Sequence, residues 1–148
     1  MAISNIANEC LEQDKLTEWI KKYPVKTIAP VKSVGVVMAG NIPLVGFHDL
    51  LCVIMSGHAA VIKPSSKDEV LIKHLVQTIF EWDADATNYI SFAENLNGCD
   101  AYIATGSNNT GRYFEYYFVR FPNILISTRT SVAIHDGHET ADAVNFFC

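Results

Sequence analysis

Asn41, Lys63 and the Gly106-Ser107 pair are the residues of this 148-residue chain whose types and spacing could do chemistry. Asn41 lies in Ala39-Gly40-Asn41-Ile42-Pro43. There the glycine permits close backbone approach, the proline suits a first helical turn, and the asparagine amide could stabilise a developing oxyanion. On spacing alone, an asparagine at this place is more commonly a plain helix N-cap. Lys63 ends an apolar run and is followed by Pro64, Ser65 and Ser66. Such a lysine could reach a ribose hydroxyl or a phosphate, with the helix start behind it favouring anions. A solvated lysine before a capped helix is the plainer alternative.

Gly106 to Arg112 is a third polar turn, nearly of the form G-x-x-x-x-G-K-[ST]. A glycine-rich turn between strand and helix is an anion site in waiting. Arg112 replaces the lysine and Tyr113 the magnesium-binding hydroxyl, which disfavours a nucleoside triphosphatase. No G-x-G-x-x-G is present either. His135-Asp136-Gly137-His138-Glu139 holds metal-competent side chains, but zinc needs three or four convergent ligands and no second cluster accompanies it. We therefore assign no metal. His48 and His74 each fall in a helical stretch and read as structural.

These turns need elements to hold them. Ala2 to Tyr23 reads as a helix with Leu16, Trp19, Ile20 and Tyr23 on one face, stopped by Pro24. Val34 to Ala39 is apolar throughout, as a strand covered on both faces should be. A helix from Leu44 to Gly57 follows, with Leu44, Phe47, Leu51, Ile54 and Met55 on its stripe and Gly57 as its stop. Ala59 to Ile62 is the second strand. Ser66 and Glu69 then form a capping box for a helix that should bury Leu71, Leu75, Ile79 and Trp82. Tyr89–Phe92 and Ala101–Ala104 read as strands, Tyr113–Phe118 as a helix, and Ile124–Ile126 and Val132–Ile134 as two more strands. Strands alternating with helices at these intervals predict a doubly wound, mostly parallel α/β sheet, in which ligands bind beyond the carboxyl ends of the strands.

The bulk numbers agree with one domain. Forty-nine percent apolar and 18% charged residues describe a chain that folds around a core. A formal charge of -5, with no basic stripe, argues against nucleic acid or an anionic membrane as the main partner. The four cysteines form no CxxC pair, so reduced thiols in a cytoplasmic protein are the plain reading. The first residues lack a signal-peptide pattern, and no apolar run is long enough to cross a membrane.

VGVVMAGNIPL, then AAVIKPSS, then IATGSNNTGR resemble, in that order, the Rossmann-like nucleotide-binding domain of the aldehyde dehydrogenase superfamily. MAGNIPLVGFHDLL and ATGSNNTGRYFEYYF are more similar still to the acyl-CoA reductases of the Lux type. The resemblance covers roughly Val31 to Ile134. It implies reduction of a fatty acyl-CoA to an aldehyde with NADPH, through an acyl group held on a cysteine thiolate. It implies Asn41 as the oxyanion donor and Lys63, Pro64 and Ser65 as the turn holding the adenosine ribose. Gly106 and Ser107 would open the helix near the pyrophosphate and nicotinamide. NADP(H) is the expected cofactor, with NAD(H) left open, and any contact to a 2′-phosphate is expected between Lys63 and Lys67.

The family's nucleophilic cysteine lies in a downstream catalytic domain, and Cys10, Cys52, Cys99 and Cys148 do not have its setting. The expectation is an N-terminal helix and connector over 1–30 and an incomplete NAD(P)-binding domain over 31–148, truncated before the catalytic domain and inactive alone. Two alternatives stand beside it: a nonenzymatic nucleotide-binding module, and a protein that self-associates through Tyr113–Phe118 and an open sheet edge.

Overall fold

Five short strands build one sheet: β1 (Ser33–Val37), β2 (Ala59–Lys63), β3 (Ile90–Phe92), β4 (Ala101–Thr105) and β5 (Asn123–Ile126). Their order is β3-β2-β1-β4-β5, and every pairing is parallel. The helices are α1 (Gln13–Lys21), α2 (Phe47–Met55), α3 (Glu69–Trp82) and α4 (Asn108–Phe118). The computed structural model describes residues 4, 6–23 and 30–127. The expected strand Val132–Ile134, the His135–Glu139 cluster and Cys148 lie outside the described residues.

Side chains alternate between the two faces of each strand, and the register makes those faces continuous across the sheet. Val34 aligns with Ala60 and Ala101, and Val36 with Ile62 and Ile103. This face meets Phe47, Leu50 and Val53 of α2 and Ile72 and Val76 of α3 in one core. On the other face a Cβ at Gly35 would lie 2.8 Å from the Tyr102 ring. Tyr102 in turn stacks on Phe118 of α4, with centroids 4.2 Å apart and planes 12° from parallel. The chain winds α2 and α3 over one face, then crosses back through residues 93–100 to start β4. The result is the doubly wound, Rossmann-like sheet expected from the sequence.

Four local expectations are corrected. The N-terminal helix is broken into a π-helical turn, Ile6–Cys10, and α1. Lys15 ties the break down, donating to the Asn8 carbonyl at 2.8 Å and pairing with Glu12 at 3.5 Å. The second helix starts at Phe47, not Leu44, because Leu44 has a φ of +57° and a left-handed residue cannot continue a right-handed helix. Gly57, at φ +80°, does terminate it. The Ser66 capping box does not form: α3 begins at Glu69 with Asp68 before it, and buries Ile72 and Val76. Leu75 and Ile79 flank that stripe, leaving Leu71 at 38% and Trp82 at 82% exposure. Finally, α4 begins at Asn108, so most of the stretch Gly106 to Arg112 is helix and only Gly106-Ser107 is turn.

The start of the sheet is pinned by Asp100, whose carboxylate accepts from the Ser33 N–H at 2.8 Å and from its hydroxyl at 3.1 Å. The backbone bond first, then the hydroxyl, hold the Asp100 carboxyl below its ordinary value of 3.8. A depressed carboxyl stabilises the fold fully above that ordinary value and loses the contribution as pH falls through the lowered one. Urea melts from about pH 5 downward should therefore show a shallower loss of stability for Asp100→Asn than for wild type. The difference should be small, because the group is fully exposed.

Candidate functional site at the strand-order reversal

The strand order reverses between β1 and β4, which are neighbours but send their following helices to different parts of the sheet. A crevice must open beyond their carboxyl ends. Here it is a cleft of about 820 Å³. Gly40 and Asn41 come from the turn after β1, Ser65 and Lys67 from the turn after β2, and Gly106 and Ser107 from the turn after β4. Four of the six sequence-derived candidates, Asn41, Ser65, Gly106 and Ser107, thus share one wall. Lys63 lies instead in an adjoining groove of about 640 Å³, with Tyr113, Phe114 and Tyr117 of α4. Val37 and Phe114 line both spaces, so the two lie side by side. Pro64 lines neither; it is half-buried and ends β2.

Asn41 is not a helix cap. The residue before α2 is Gly46, and Asn41 is exposed five residues earlier, in the bend that leads to it. Its amide is therefore free of the duty that sequence spacing alone would assign it. The adjacent turns touch: a Cβ at Gly40 would sit 2.3 Å from the Ser65 hydroxyl oxygen. That oxygen accepts from the Lys67 N–H at 3.3 Å, shaping the turn after β2. The Gly106 N–H donates to the Ile126 carbonyl at 3.0 Å, which fixes the turn after β4 against β5.

Among the described residues the cleft wall includes Lys67 and no carboxylate, although the whole chain is acidic. That wall suits an anion. Just behind it Asp49 of α2 accepts from the Thr105 hydroxyl at 3.2 Å, joining the end of β4 to α2. Burial pushes the Asp49 carboxyl up, while the Thr105 bond and His48 pull it the other way.

No described cysteine lines the cleft. Cys99 is buried under the start of β4, and burial first, then Asp100, push its thiol up. Cys52 sits on α2 with its sulfur 3.7 Å from His48 Nδ1. Burial, then Asp49 and Cys10, push that thiol up as well. A nucleophilic cysteine needs the opposite shift, toward the thiolate. Among the described residues no group of three His, Cys, Asp or Glu side chains could hold a metal ion, and no helix is long and apolar enough to cross a membrane.

Sequence reasoning missed Thr105 and gave Phe114 only a packing role, though both line the cleft. The one available signal for Thr105 was its place directly before Gly106. Asp68, between the Ser66 and Glu69 of the expected capping box, instead accepts from the Leu44 N–H, 24 positions away in sequence.

A five-stranded parallel sheet flanked by helices, with a cleft at its order reversal, defines this as a Rossmann-like α/β domain. The sequence model for the family described as acyl-CoA reductase (LuxC) matches residues 3–110, and the chain belongs to that family. Its chemistry is oxidoreduction of an acyl-CoA. All six candidate residues fall inside the matched range. No curated protein and no solved structure matches the chain.

Proposed function

We propose that the cleft binds NADPH and that residues 31–148 are the cofactor-binding part of an acyl-CoA reductase, with 1–30 as an N-terminal helix and connector. The observation that supports this most directly is the cleft at the β1/β4 reversal, whose described lining holds Gly106, Ser107 and Lys67 and no carboxylate. Gly106 and Ser107 would receive the pyrophosphate and Ser65 and Lys67 the adenosine ribose and its 2′-phosphate. Lys63 would hold the same nucleoside from the adjoining aromatic groove, and Pro64 would fix the turn between them. Bound there, the cofactor supplies the hydride that releases an acyl group as aldehyde. Asn41 would donate its amide N–H to the thioester carbonyl oxygen as charge develops on it. The acyl group would sit on a cysteine thiolate outside the described residues.

Fluorescence titration of the chain with NADPH tests the assignment. Saturable binding is expected, with Lys63→Ala weakening it about tenfold, the size of one lost charge-assisted contact. Lys67→Ala should narrow the preference for NADPH over NADH. Absence of saturable binding would refute the reading. The lack of a described cysteine in the cleft lining favours a second reading, a nonenzymatic nucleotide-binding module. Incubation with labelled acyl-CoA bears on both: no label is expected on Cys10, Cys52, Cys99 or Cys148 under either reading, and a thioester trapped on any of them would overturn both.

A further inference from the structure

Leu44 is the only non-glycine residue with a positive φ among the described residues, and it lies three positions after Asn41. A left-handed leucine persists only where the surroundings hold it. The Leu44 side chain is buried in the core, and its N–H donates to Asp68 Oδ2 at 2.6 Å. Bonds to a carboxylate are among the stronger ones a backbone N–H can make. Asp68 stands at the N-cap of α3, where an aspartate ordinarily bonds the first turn of its own helix. It makes no such bond. Its carboxylate is directed across to the other turn.

On the far side of Asn41, Gly40 lies against the same neighbouring turn. A Cβ there would meet Ser65 Cβ at 2.7 Å and Lys67 Cβ at 3.0 Å. Asn41 is therefore held between two anchors, Gly40 and Leu44, both set by residues 65–68. We propose that Asp68 is a positioning residue that fixes the backbone of the Asn41 turn and makes the turns after β1 and β2 one mechanical unit. Its catalytic consequence, that occupancy of the Ser65–Lys67 turn is felt at Asn41, rests on the reading of the cleft given above.

The test uses the full ¹⁵N-labelled chain in five forms: wild type, Asp68→Ala, Asp68→Asn, Leu44→Gly, and Asp68→Ala with Leu44→Gly. Hydrogen exchange of the amide at position 44 and the side-chain amide signals of Asn41 are followed. Asp68→Ala should speed exchange at 44 by roughly tenfold or more and shift the Asn41 signals, with Val36 and Ile62 unmoved. Asp68→Asn keeps an oxygen acceptor and should show a smaller change. In the double variant, glycine adopts the left-handed conformation without strain, and the Asn41 signals should return toward wild type. Disturbance confined to Val70 and Leu71 in Asp68→Ala, with no rescue by Leu44→Gly, would mean an ordinary helix cap and overturn the proposal. NADPH binding is read separately. If wild type does not bind it while Asn41 still follows Asp68, the positioning role stands and the cofactor assignment falls. If NADPH binds and Asn41 ignores Asp68, the positioning role falls alone.

Discussion

Gly40→Ala is expected to weaken NADPH binding by roughly 10- to 100-fold. The new Cβ would stand 2.3 Å from the Ser65 hydroxyl oxygen and 2.7 Å from Ser65 Cβ. The hydroxyl could rotate away about χ1, but the Ser65 Cβ is fixed to the backbone and cannot. The turns after β1 and β2 must part. Overpacking of this kind costs about 1–3 kcal/mol. Because the contact lies on the cleft wall, much of that cost should appear as lost affinity. Isothermal titration of the folded variant checks it. An affinity within twofold of wild type would show that the two turns need not touch for binding.

The second large effect is on stability. Leu50→Ala should destabilise the chain by about 2–5 kcal/mol, with a fall in the melting temperature of roughly 10 °C or more. Leu50 is fully buried at the centre of α2 and belongs to the cluster that joins that helix to β1 and β2. Its removal leaves a cavity that a parallel sheet cannot close by collapse, since strand spacing is fixed by hydrogen bonds. A urea titration reads the change as a lower midpoint with an unchanged slope. NADPH affinity of the folded fraction should stay near wild type, because Leu50 does not line the cleft. A loss below 1 kcal/mol would mean that the α2 interface is not closely packed.

The strands were legible because each is a short apolar run bounded by turn residues, and β1 is buried along Val34, Gly35 and Val36 as a doubly covered strand must be. The turns after β1, β2 and β4 were legible as polar punctuation, which is why four of six candidates meet in one cleft. What failed to show was tertiary in origin. Nothing local announces that Leu44 is left-handed; that conformation is held by a carboxylate from another turn. The start of α4 was hidden for a related reason. Asn108, Asn109, Thr110 and Gly111 are weak helix formers, and the helix nevertheless includes them. Docking of Phe118 on Tyr102 of β4 overrides that local preference. Lys63 lines the adjoining groove rather than the cleft that holds Asn41, Ser65, Gly106 and Ser107. It alternates onto the Tyr102 side of the sheet, the same side as Val37 with which it is in register.

The passage from β3 to β4 shapes the groove beside Lys63. Crossovers between parallel strands ordinarily need a dozen or more residues and include a helix. Residues 93–100 cross two strands with only eight and form none. Leu96 lies against Gly35, and the space that a helix would have filled is the groove beside Lys63 and Tyr102. The room in this groove thus follows from the brevity of a connection as well as from the aromatic side chains that line it. Asn95, Leu96, Asn97 and Gly98 of that same connection form one side of the groove, so its length and its lining are set together.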